Sequence, residues 1–308
     1  MIDRIGYQII DVLKKDGRYS YARLARELGV NVATVAKRID AMLAEDIIAF
    51  KAVPNPYKMG YQAHAFITLA VDLSKVDGVC SELIDNLNVS LVVTSFGRFD
   101  VLLIADFYSL EVLQDFCKKE LPQIDGVRQI NTFLISEMKK RYDGIFESRQ
   151  AGIPSPIDAI NHRLIEELQK NGRVGYIDLA DKLGISLATV SRRVNYLIKE
   201  NIIKIAAIPN PSKLGYSSDV FVALDAAPTK INDICTELSR YSEVHLVMTV
   251  MTGFDILVGV HLPNPEMLYN FIKEKIARLD GVSIIETFAR AEIKKRYYGS
   301  IVTLPRNQ

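Results

Sequence analysis

A head-to-tail duplication constrains this chain more than any other feature. Slid against itself by 155 residues, the sequence matches itself from near its start to near its end. Between residues 16–61 and 171–216, 21 of 46 aligned positions are identical. Leu24-Ala25 meets Leu179-Ala180, Ala33-Thr34-Val35 meets Ala188-Thr189-Val190, and Pro54-Asn55-Pro56 meets Pro209-Asn210-Pro211. The register persists to Lys139-Lys140-Arg141-Tyr142 and Lys294-Lys295-Arg296-Tyr297, motifs that read as solvated tails. So long a period excludes a solenoid, whose units run from about 20 to 50 residues. The repeat is a two-domain unit. The Gly, Ser and two prolines of residues 146–156 mark a linker between the copies.

Composition narrows the function classes. Apolar residues make up 49% and charged residues 24%, enough for packed cores and against wholesale disorder. The formal net charge of +1 announces no nucleic acid by itself. No apolar run reaches the roughly 18 residues of a membrane span, and the first residues lack a secretion signal, so a soluble cytoplasmic protein is expected. Three cysteines without a CxxC pair, and four histidines without HxxxH or HExxH spacing, argue against a disulfide framework or a metal site. Cys80 and Cys235 are counterparts, which favours buried packing over reactivity. No nucleophile has a matching base, so no catalytic residue, enzyme activity or cofactor is expected.

Each half reads as two domains. Residues 3–15, 20–28 and 32–46 have helical periodicity, punctuated by Asp16-Gly17 and Gly29. Asn31 and, in the second copy, Ser186 are placed to cap the third helix. Residues 47–53 then form a short hairpin or wing ending at Pro54-Asn55-Pro56. Beyond the wing, segments 63–71, 74–87, 89–96, 100–107, 109–120 and 127–137 run β-α-β-β-α-β, a ferredoxin-like order repeated from 219 to 292. The fold class is α+β: two winged helix-turn-helix domains (1–58 and 157–213) alternating with two ferredoxin-like βαββαβ domains (61–145 and 216–301).

The third helix of each triplet points to DNA. A helix-turn-helix lays its second helix in the major groove, with the N-terminal residues on base edges. Thr34, Lys37 and Arg38 are placed outward there, as are Thr189, Ser191, Arg192 and Arg193. Asn31 and Ser186 open helix ends whose free N–H groups suit a phosphate. Hydroxyl and guanidinium groups bond base edges or phosphates, and the cations release counterions.

The ordered series DGRYSYARLARELGVNVATVAKRIDAMLAEDII, VPNPYKMGY and SFGRFDVLLIADF resembles the Lrp/AsnC, or feast/famine, family of regulators. The resemblance runs through nearly the whole chain, twice. It implies a winged helix-turn-helix followed by a sensing domain that pairs with another copy and binds an amino acid near subunit interfaces. By the same resemblance, effector-proximal residues are Gly97, Arg98, Phe99, Asp100, Phe133 and Ser136, with counterparts Thr252, Gly253, Phe254, Asp255, Phe288 and Ala291. The second copy departs from the pattern, since Thr252 holds the usual glycine place.

The expected partners are double-stranded DNA and a small-molecule effector, with an intrachain pseudo-dimer in which the two sensing sheets face each other, and a higher homo-oligomer open. The rival reading is a siroheme decarboxylase, an enzyme that resembles the same fold. In that family a His and a Tyr-Asn pair occupy the place where this chain has Phe99-Asp100 and Phe254-Asp255.

Overall fold

A computed structural model describes residues 2–86, 88–141 and 157–296. The expected linker at 146–156, Tyr142 and Tyr297 lie outside the described residues. The chain divides into two compact units, each built from both copies: residues 2–60 with 157–215, and residues 61–141 with 216–296.

The first unit holds both three-helix sets. In the first copy these are α1 (Arg4–Lys15), α2 (Tyr21–Leu28) and α3 (Val32–Ala44), followed by β1 (Ile48–Pro54). Asp3, Ser20 and Asn31 each accept a hydrogen bond from a first-turn amide, so each helix starts at a capping side chain. Gly29, at φ 66°, ends α2 in the left-handed region and turns the chain into α3. Ile9, Ile10, Leu13, Leu24, Val35 and Ile39 are completely buried where the helices meet. Asp46 and its counterpart Asn201 take φ 54° and 53° after the third helix, a conformation that Asp and Asn tolerate best among residues with a side chain.

The wing departs from the expected hairpin. β1 pairs antiparallel with β6 (Ile203–Pro209), its own counterpart in the second copy, with Lys51 opposite Ala206 at the centre. Pairing one copy's edge with the other's satisfies backbone groups that would otherwise face water. Ala207 of β6 packs into the helical core of the first copy. The second copy repeats the helices as α6 (Ala159–Lys170), α7 (Tyr176–Leu183) and α8 (Leu187–Lys199).

The second unit is an eight-stranded closed barrel. The first copy supplies β2 (Ala63–Val71), α4 (Val76–Asp85), β3 (Val89–Phe96), β4 (Val101–Phe107), α5 (Leu110–Asp115) and β5 (Val127–Arg141). The second supplies β7 (Ser218–Ala226), α9 (Ile231–Arg240), β8 (Val244–Val250), β9 (Ile256–Leu262), α10 (Pro265–Phe271) and β10 (Val282–Arg296). Each copy forms the strand order expected of a ferredoxin-like sheet, β3-β4-β2-β5 and β8-β9-β7-β10. The two sheets also join at both edges. The long last strands cross over, β5 pairing with β8 and β10 with β3. Facing sheets are as expected, but this edge-to-edge closure is not, and it carries β5 and β10 past the expected strand ends at 137 and 292.

Strand alternation sorts the barrel's side chains into two environments. One face of each sheet packs beneath its own helices, with Ile67, Leu103 and Phe107 in the first copy and Val222, Val258 and Val260 in the second. The other faces share one interior, where Phe66 meets Phe221 and Phe288 edge to face with centroids 5.6 Å apart. Cys80 and Cys235 are buried beneath the helices, and burial pushes both thiols up to about 11, consistent with packing rather than reactivity.

The Lys-Lys-Arg motifs are not solvated tails. The Lys295 ammonium donates to the carbonyl of Asn86, just past α4, and Lys140 donates to Ser239 and Tyr241 at the matching end of α9. Each copy's last strand thus caps a helix C-terminus of the other copy, where a cation is favoured. Burial pushes the Lys295 ammonium down to about 8. The unfolded lysine holds its proton up to about pH 10.4. Above the folded value the unfolded chain therefore binds more protons, and this residue's contribution to stability rises with pH across that window. Wild type should gain stability relative to Lys295→Met between about pH 8 and 10, as urea midpoints at successive pH values will measure.

Candidate nucleic-acid interface and sensing turns

The third helices present unequal side chains. Asn31 and Ser186 are exposed, but their side chains accept from the amides of Thr34 (2.7 Å) and Thr189 (3.2 Å). Thr34, Thr189 and Ser191 are half-buried. Lys37 and its counterpart Arg192 stand exposed on the outer face of α3 and α8. Val32 and Leu187 are exposed in the first turn, a pair the sequence reading passed over, and apolar side chains there suit thymine methyl groups.

Arg38 and Arg193 do not point outward as expected. Arg38 pairs with Asp3, the cap of α1. Arg193 reaches Asp158, the cap of α6, at 2.6 Å and Asn161 at 3.0 Å. The helical wheel places both at the edge of the buried stripe, and the capping carboxylate of the first helix captures them. The arginine beside Asp3 holds that carboxyl below its ordinary range, and the Asn161 amide with Arg193 does the same to Asp158. Arg193→Ala should lower the melting temperature and leave the salt dependence of DNA binding unchanged, by differential scanning fluorimetry and fluorescence anisotropy respectively.

A second set of arginines ties the two helix-turn-helix copies together. Arg18 donates to the carbonyl of Gly172 and to the Tyr176 hydroxyl, while Arg173 donates to Gly17 and Tyr21. Arg173 also lies over the Phe50 ring, 3.5 Å from its centroid. The arginine that follows Gly17 and Gly172 in both copies carried this signal in the sequence, where only the Asp-Gly and Asn-Gly pairs before it read as helix stops.

The sensing turns join β3 to β4 and β8 to β9. Gly97 and Gly253 take φ 114° and 84°. The Asp100 carboxylate accepts from Val71 N–H and that of Asp255 from Ala226 N–H, both at 2.8 Å, so these carboxylates close the turns onto neighbouring strands. Phe99 packs against Phe288 and Phe254 against Phe133, with centroids 6.3 and 4.8 Å apart. The residues read as one site per copy are therefore regrouped: each turn meets the last strand of the other copy. Gly253 is needed for closeness, because a Cβ there would lie 2.7 Å from the Phe133 ring. Arg98 is exposed and its guanidinium lies over Phe99 at 5.1 Å. Thr252 and Ala291 are exposed, and Ser136 shares a 2.8 Å hydrogen bond with Thr249.

One cluster escaped the sequence reading. Asp219, His245 and His261, from β7, β8 and β9, place ligand-type atoms within 4.8 Å of one another. Local spacing could not reveal residues that three strands bring together. A cation of the chain itself already sits among them: Arg290 of β10 pairs with Asp219 and lies 2.6 Å from His261 Nε2. The first copy has a pair at the same place with the partners exchanged, His64 standing where Asp219 does and Asp106 where His261 does, 2.7 Å apart.

A model described as the AsnC-type helix-turn-helix domain matches residues 2–43, and one for winged helix-turn-helix DNA-binding matches 157–204. The Lrp/AsnC ligand binding domain matches residues 64–145 and again 219–298, more than half of the chain. The chain belongs to the Lrp/AsnC family. An uncharacterized HTH-type transcriptional regulator of Pyrococcus horikoshii is 35% identical over 146 residues, 47% of this chain and 92% of that protein. The HTH-type transcriptional regulator FL11 of Pyrococcus furiosus is 27% identical over 140 residues, 45% of this chain and 92% of its own length. Such relatives match about half of this Lrp/AsnC chain, which carries the family's two domains twice. Among solved structures, the siroheme decarboxylase NirDL superposes with a TM-score of 0.66 at 15% identity, covering 97% of this chain and 94% of that one. At that identity the likeness shows a shared fold. Among the described residues, no helix is long and apolar enough to cross a membrane.

Proposed function

We propose that this Lrp/AsnC chain is a sequence-specific DNA-binding transcriptional regulator and not an enzyme, with both DNA-reading helices supplied by one polypeptide. The observation that supports the reading is the pairing of β1 with β6, flanked by reciprocal contacts of Arg18 and Arg173, which joins the two helix-turn-helix copies within one chain. Half-sites would lie about 34 Å apart, one helical turn, or a multiple of that. The outward residues differ between copies, with Lys37 and Asp40 in α3 against Arg192 and Asn195 in α8, so the operator is imperfectly palindromic. A small molecule such as an amino acid, bound at the sensing turns, would bias the placement of the reading helices through differential affinity for two arrangements.

Genomic footprinting of the tagged protein, with and without an amino-acid mixture, tests the reading: discrete asymmetric footprints support it, and none under either condition sinks it. On a footprinted duplex, Lys37→Ala with Arg192→Ala should weaken binding and relax base preference in both half-sites. Incubation with siroheme should leave the tetrapyrrole's mass unchanged, and loss of carboxylates would establish the enzyme instead.

A further inference from the structure

Within the first unit, the two copies carry opposite charge on the helix that precedes the reading helix. In a helix-turn-helix that first helix crosses the phosphate backbone. α2 bears Arg23, Arg26 and Glu27, net +1, while α7 bears Asp178, Asp181 and Lys182, net −1. The sign is inverted at all three equivalent positions. Asp178 and Asp181 are exposed, and so are Arg23 and Arg26. Arg23 shares Glu27 at 3.3 Å and stacks on Tyr19, whereas Lys182 is drawn to Glu167 of α6.

Helix chemistry accounts for part of this. α7 begins at Gly175, which offers no capping side chain where α2 has Ser20, and Asp178 in its first turn offsets the helix dipole. Asp181 lies one turn further on, where the dipole no longer rewards an anion. A carboxylate on a surface facing phosphates costs affinity, and an arginine at the same position releases counterions.

We propose that the two helix-turn-helix copies are unequal on DNA. The first anchors the duplex, with Arg23 and Arg26 on phosphates and Lys37 in the groove. The second is held off the backbone by Asp178 and Asp181 and engages mainly through Arg192. This rests on the reading that α3 and α8 face DNA. The bound complex is therefore lopsided. The half-site under the first copy dominates affinity, and the second adds selectivity from one exposed guanidinium.

The test uses the full chain and a labelled 40-base-pair duplex of mixed sequence (about four helical turns), titrated by anisotropy across a potassium chloride series. Arg26→Ala should weaken binding several-fold and flatten the salt slope by about 0.9. Asp181→Arg should strengthen binding several-fold and steepen the slope by a similar amount. Asp178→Ser, which removes the charge and keeps a small polar side chain, should strengthen binding without adding a contact. Circular dichroism confirms that each variant is folded. Silence of Arg26→Ala, or of both aspartate variants, overturns the inequality while leaving DNA binding intact. Failure of wild type to bind at low salt overturns the regulator reading and this inference together.

Discussion

Replacing Arg290 with methionine is expected to lower the unfolding free energy by about 3 kcal/mol, the low end of the cost of orphaning one member of a buried ion pair. The Arg290 side chain is 2% exposed and pairs with Asp219, whose side chain is 18% exposed. Methionine keeps much of the stem's volume but leaves a carboxylate inside the barrel beside His245 and His261, with its cation gone. Asp219→Asn combined with Arg290→Met should recover much of the stability, and urea denaturation of both single variants and the double variant measures the coupling. Equal losses in Arg290→Met and the double variant would mean that packing, not charge, holds Arg290. The same experiment on the other copy, His64→Gln, should cost less, since the His64–Asp106 pair contains no guanidinium.

This cluster also shows where sequence reading reached its end. Elements and their order were legible because helical and strand periods are local, and punctuation such as Gly29 and Gly184 marked the turns. The duplication made each element visible twice. Pairing between the copies was expected, but which strand edges and side chains meet stayed hidden. Arg290 stands where the first copy has Ile135, and His245 where it has Ser90, so nothing in the repeat foretold a cluster there. The crossing of β5 and β10, and the exchange of sensing turns between copies, depend on which sheet edges meet, and residue spacing does not encode that. Arg38 and Arg193 were misjudged for a related reason. Both sit at the border of a buried stripe, and only the position of α1 or α6 decides whether such an arginine turns to solvent or to a capping carboxylate. Lys37 and Arg192 lie one position earlier, clear of that neighbour.

Gly17→Ala with Gly172→Ala is expected to separate the two wing strands and to abolish the advantage of a two-half-site duplex over a single half-site. A Cβ on Gly17 would lie 2.9 Å from the backbone of Ala206, and one on Gly172 would lie 2.9 Å from the backbone of Lys51. The obstruction is main chain within a paired strand, so no side-chain rotation relieves it. Both amides also bond across the copies, Gly17 N–H to Ile205 and Gly172 N–H to Phe50, each at 2.8 Å. Overpacking of this kind costs about 1–3 kcal/mol per site. The functional loss should be larger than the loss in stability. Two reading helices fixed in one frame turn the second half-site contact into an intramolecular step, a gain of about 10²–10⁴ in affinity when the geometry fits. Without that frame each copy binds on its own, and the ratio of two-site to one-site affinity falls toward the statistical factor. Anisotropy titrations on duplexes with one and two half-sites measure this ratio directly. If the double variant keeps the wild-type ratio, the β1–β6 ribbon is not what couples the copies, and the single-chain pairing at the centre of the proposed function is wrong.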